Sequence, residues 1–69
     1  MKLSETKQGT LVTITGFEDI ENLESLYRMG LMVNSKIIIV INNYLGIIIE
    51  VMDSRLAIGK SLADKIIVE

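Results

Sequence analysis

The tripeptide Gly59-Lys60-Ser61 ends the way a phosphate-binding loop ends, where a lysine and backbone N–H groups wrap a nucleotide. Such a loop needs a second glycine five residues earlier, and that position is Ser54. It also sits on a parallel βαβ sheet, for which a chain of 69 residues has no room. The tripeptide therefore reads as the start of a short helix with an exposed lysine. Acids at Glu18, Asp19, Glu21 and Glu24 offer oxygen ligands of the kind hard divalent cations take. On a helix, however, positions 19, 21 and 24 point in different directions, and acids at a helix start stabilise it without any ion. The chain has no histidine and no cysteine, so imidazole bases, thiolate nucleophiles and the usual zinc or haem ligands are all absent. No serine has an activating partner in sight. The expectation is a protein that is not an enzyme and carries no cofactor. A divalent-metal sensor is an alternative that rests on the acids alone.

With catalysis set aside, the residues left over are apolar. Leu23, Tyr27, Met29, Leu31 and Met32 together exceed what one face of a short helix needs to bury. Leu23, Leu26 and Leu31 suit a core, whereas Tyr27, Met29 and Met32 suit a core or a partner surface equally, methionine being adaptable in both. A groove for proline-rich peptides needs more aromatic lining than Phe17, Tyr27 and Tyr44, with no tryptophan, supply.

These residues must be positioned by a single domain spanning 1–69, since a chain this short hides only about 60% of its unfolded surface. With 49% hydrophobic and 23% charged residues it is too apolar to be disordered, and a net charge of −2 lacks the basic excess that drives phosphate-backbone binding. Nucleic acid is not an expected partner. Met1 to Lys7 has no apolar run of the signal-peptide kind, so a cytoplasmic location is expected. The stretch from Leu31 to Met52 is rich in isoleucine, but Asn34, Lys36, Asn42-Asn43 and Glu50 interrupt it, whereas a membrane span needs roughly 20 largely apolar residues. Its β-branched content points to two buried strands and no insertion into a membrane.

The elements follow from period and punctuation. Val12 and Ile14 alternate with Thr13 and Thr15, which predicts a half-buried strand over 10–15 ended by Gly16. Ile20, Leu23, Leu26 and Tyr27 recur at helical spacing, which predicts a helix capped by Asp19, closed with Arg28 in its last turn and Gly30 as its left-handed stop. Residues 36–42 and 47–52 predict an antiparallel pair, apolar on both faces, turned by Asn42, Asn43 and Gly46. A turn at Asp53-Ser54, a strand over 55–58, one helical turn within 59–64 and a last strand over 65–68 complete the chain. The result is mostly β: a small SH3-like five-stranded barrel with one α-helix after the first strand and a short helical turn before the last.

The order Leu3, Gly9, Val12, Ile14, Gly16, Leu26, Met29-Gly30-Leu31 and Ser35-Lys36-Ile37, closing with Leu56-Ala57-Ile58 and Ala63-Asp64-Lys65-Ile66-Ile67-Val68, resembles the FeoA family, ferrous iron transport protein A. The likeness spans Leu3 to Val68. It implies an SH3-like barrel acting in the cytoplasm as an accessory of ferrous iron uptake, in contact with the cytosolic part of the GTP-dependent transporter FeoB. Carried over residue by residue, it implies partner contacts at Tyr27, Met29, Leu31, Met32 and Arg55, with Gly30 structural. Similar barrels form the C-terminal domain of iron-responsive repressors, which is the alternative regulatory role. Where the family has Pro-Gly after Met-Gly, this chain has Val33-Asn34, and asparagine is the best non-glycine residue for a left-handed turn. The family's middle hairpin is shortened here to Gly46 followed directly by Ile47.

Overall fold

The computed structural model describes all of residues 1–69. A 3₁₀ turn at Leu3–Glu5 leads into β1 (Leu11–Phe17), α1 (Leu23–Arg28), β2 (Lys36–Asn43), β3 (Gly46–Val51), β4 (Ser54–Ile58), α2 (Lys60–Ala63) and β5 (Ile66–Val68). The strands form one antiparallel sheet in the order β4-β3-β2-β1-β5.

Two irregularities curl this sheet around its core. β1 pairs with β2 through Leu11 to Thr13, then shifts register between Ile14 and Gly16 and pairs with β5. β2 shifts between Ile39 and Ile41 against β3. Each extra residue bends its strand and increases the local twist. Period-2 alternation then sends Val12, Ile14, Ile37, Ile39, Ile47, Ile49 and Val51 inward, where Leu3, Leu26, Leu31, Ala63, Ile66 and Val68 meet them. Each fully buried leucine or isoleucine stabilises the fold by about 1.5–3 kcal/mol relative to exposure. The outward face is not covered: Ile38 remains 42% exposed, so curling buries one isoleucine face and leaves the other at the surface.

The two sheet edges differ. Beyond β5 the N-terminal segment adds a bridge between Lys2 and Ile67, and Val68 N donates to Met1 O at 2.7 Å. Asn42 fastens the rest of that segment. Its Nδ2 donates to Ser4 O (3.2 Å) and Thr6 O (2.6 Å), its backbone N to Gln8 Oε1 (3.0 Å), and its Oδ1 accepts from Lys60 Nζ. Asn42 and Asn43 lie within β2 and do not turn the chain as their types predict; Tyr44 and Leu45 form the turn, and Gly46, with φ +151°, opens β3 opposite Asn43.

The helix begins a turn later than its spacing predicts. Asp19 has φ +51°, outside the extended region an N-cap occupies. Asn22 is the cap instead: its side chain accepts from Ser25 N at 3.3 Å, and Ser25 Oγ donates to Asn22 O at 2.9 Å. Ile20 reaches the core edge from the preceding loop and so mimics a helical position. Nothing in the chain forms a helix long and apolar enough to cross a membrane.

Candidate partner-docking site

The end of α1 is built by hydrogen bonds that apolar side chains then cover. Leu31 N donates to Leu26 O (2.9 Å) and Gly30 N to Tyr27 O (3.0 Å), the paired bonds of a Schellman stop with Gly30 at φ +86°. The next turn is locked onto it by Ser35, whose Oγ donates to Gly30 O at 2.8 Å and accepts from Met32 N at 3.1 Å. Asn34, at φ +77°, takes the left-handed position expected of it, and Asn34 N donates to Ile14 O on β1.

This frame decides which side chains reach the surface. Tyr27, Met29 and Met32, in the last turn of α1 and on either side of Gly30 in the chain, are 45%, 41% and 43% exposed. Leu31 is completely buried, so the contact role that the family likeness implied for it is corrected: the residue after a Schellman glycine folds back onto the helix, and here it enters the core beside Leu26. Arg55 lies on β4, exposed, its Nε 3.4 Å from Glu50 Oε2 in the directly opposite position on β3. An exposed pair of this kind contributes well under about 1 kcal/mol and leaves the guanidinium free to engage elsewhere.

A further residue completes the surface. Val51 and Ser54 pair across a two-residue turn, and both turn residues, Met52 (φ +51°) and Asp53 (φ +63°), are left-handed, as a type I′ hairpin requires. A bulky methionine is unusual there. Its side chain lies over the helix stop: a Cβ placed on Gly30 would stand 2.8 Å from Met52 Sδ. Met52 therefore joins Tyr27, Met29 and Met32 from a distant part of the chain while remaining 77% exposed. The sequence carried a weak signal for it, a third methionine next to a turn, but no local pattern connects residue 52 to residue 30.

The other chemical candidates resolve into structure. Lys60 Nζ donates to Asn42 Oδ1, and α2 is a single turn capped by Gly59. The acids of the α1 region form no group of three, and Glu24 pairs with Arg28 at 2.7 Å.

The model of the FeoA domain matches residues 1–69 in full. The chain belongs to the FeoA family. Among solved structures, this FeoA chain is similar to an iron uptake regulatory protein (FeoA), with 31% identity and a TM-score of 0.88 over 100% of this chain and 93% of that one. It has the fold of Stenotrophomonas maltophilia FeoA complexed with zinc, described as an SH3 domain protein, at 20% identity and a TM-score of 0.84, covering 100% and 89% of the two chains. A manganese-dependent transcriptional repressor shares that fold over 96% of this chain and 39% of its own, at 16% identity and a TM-score of 0.84. No curated protein sequence matches it. The expected SH3-like barrel is thus the fold the FeoA chain has.

Proposed function

We propose that this FeoA protein is a cytoplasmic, non-catalytic accessory of ferrous iron uptake that binds and regulates the cytosolic domain of the transporter FeoB through Tyr27, Met29 and Met32. Met52 and Arg55 extend the surface. The observation that carries the reading is a cluster of large apolar side chains standing exposed on a backbone fixed by the Schellman stop and by Ser35. A fixed apolar surface loses little conformational entropy on docking, so a larger share of its burial appears as affinity. Methionines fit a partner that changes shape with its nucleotide state, because three rotatable bonds let them repack.

Calorimetric titration of the FeoB cytosolic domain with Met29→Asp and Met32→Asp tests this. Each substitution is expected to weaken binding at least about tenfold, which corresponds to ~1.4 kcal/mol, with the circular dichroism spectrum unchanged. Equal affinity for wild type and both variants would remove the surface from consideration.

The repressor likeness supports a second reading, an SH3-like module that regulates transcription. It fits less well, because DNA reading in the major groove needs a presented helix, and α1 has only six residues.

A further inference from the structure

The chain contains four methionines, and three of them are exposed at the helix stop: Met29 and Met32 lie one and two residues from Gly30 in the chain, and Met52 Sδ lies over it. The fourth, Met1, lies at the opposite sheet edge, where its backbone bonds Val68. Met52 combines two properties found at neither Met29 nor Met32. It is 77% exposed, and its sulfur is the atom that occupies the space a side chain on Gly30 would fill. Accessible to solvent on one side, that thioether lies against the Gly30 backbone on the other.

We infer that Met52, with Met29 and Met32 near it in the chain's fold, is a modification site for hydrogen peroxide, at which sulfoxide formation swings the Met52 side chain off Gly30 and weakens docking. The effect on docking rests on the proposed FeoB contact; the modification and the side-chain swing do not. In the reaction a lone pair on Sδ attacks one peroxide oxygen, the O–O bond breaks and an S–O bond forms. The transferred oxygen's proton passes to the departing hydroxide, releasing water. Sulfur loses two electrons and peroxide gains two. The product is a polar, chiral group that seeks water, so it turns away from the apolar floor at Gly30 and Val51. The hairpin itself survives, because the ladder from Val51↔Ser54 to Ile47↔Ile58 does not involve the sulfur. Peroxide is the oxidant of consequence for an iron-uptake accessory, since ferrous iron reduces it to hydroxyl radical, and uptake restrained by peroxide would limit that reaction.

The experiment treats the full chain with graded equivalents of hydrogen peroxide and maps sulfoxide at each methionine by peptide mass. Amide NMR spectra follow the fold, and the FeoB cytosolic domain is titrated before and after treatment. Met52 should convert about twofold faster than Met29 or Met32, in line with its exposure. The Gly30 and Leu31 amide signals should shift while the strand signals stay in place, and affinity should fall about tenfold. Methionine sulfoxide reductase should reverse all three changes. In the variant Met52→Leu, which keeps the volume without the sulfur, the Gly30 and Leu31 amide signals should stay in place after treatment. Full conversion of Met1 with Met52 intact, or conversion of Met52 with Gly30 and Leu31 unmoved, would overturn the site. Equal loss of affinity in a Met29→Leu/Met32→Leu/Met52→Leu variant would overturn the regulatory role. Failure of the untreated chain to bind would count against the FeoB contact alone, with the mass and NMR readings still deciding the modification.

Discussion

Two regions of this molecule expose large apolar side chains, and they are held in different ways. At the end of α1, Tyr27, Met29 and Met32 stand on a buried glycine, two Schellman bonds, the Ser35 hydroxyl and, directly beneath, Leu26 and Leu31 of the core. At the β2–β3 hairpin tip, Tyr44 and Leu45 are 88% and 77% exposed, with one local bond from Leu45 N to Asn43 Oδ1 at 2.9 Å. Leu45 lines a cleft of about 330 Å³ together with Ile41, Ile48, Ala57 and Ile58. Exposure alone does not mark a docking surface; what distinguishes the helix end is that its frame is already ordered, so binding need not order it.

Truncation exposes that difference most strongly. Leu31→Ala should lower unfolding free energy in urea by about 3 kcal/mol through the cavity it leaves, whereas Leu45→Ala should stay within about 0.5 kcal/mol of wild type. Similar losses at the two sites would erase the contrast.

Each region also depends on one glycine, and the two should respond unequally. An added Cβ at Gly46 (φ +151°) would sit 3.1 Å from Ile58 O, a backbone atom that cannot swing aside; at Gly30 it meets the flexible end of Met52. Gly46→Ala is therefore expected to cost about 2 kcal/mol and Gly30→Ala about 1 kcal/mol by thermal or urea unfolding. Gly30→Ala should in addition displace Met52 and weaken FeoB binding, which Gly46→Ala, if folded, should spare.

Removing the hydroxyl that joins the helix stop to the following turn is a finer probe. Ser35→Ala forfeits both Oγ bonds, with an expected loss of about 1 kcal/mol and faster hydrogen exchange at the Met32 amide. Smallest of all is Arg28→Ala, which breaks an exposed i,i+4 pair with Glu24 and should change stability by less than about 0.5 kcal/mol.

Period-2 alternation and β-branched runs made the strands legible, because the inward positions of β1, β2 and β3 are the ones that packing requires. Gly30 and Asn34 were legible for a similar reason: few residues accept left-handed backbone, so their types name their places. The start of α1 was not, since Ile20 packs on the core from a loop at a distance a helical turn also satisfies. Nor was Asn42, whose side-chain bonds to Ser4, Thr6 and Lys60 are long-range and indistinguishable in sequence from a turn preference. At the candidate site, Tyr27, Met29 and Met32 could be picked out as surplus and Leu31 as core, although the family likeness pointed Leu31 outward; Met52 could not be placed. Leu31 is drawn inward by a backbone motif, and Met52 is brought across by a hairpin that strand pairing alone positions.

Amide NMR of the isotope-labelled chain titrated with the unlabelled FeoB cytosolic domain separates the two regions. Docking at the helix end gives the largest shifts at Tyr27, Met29, Met32, Met52 and Arg55, with Tyr44 and Leu45 unmoved. Shifts centred on Tyr44 and Leu45, with residues 27–32 and 52 unchanged, would contradict it.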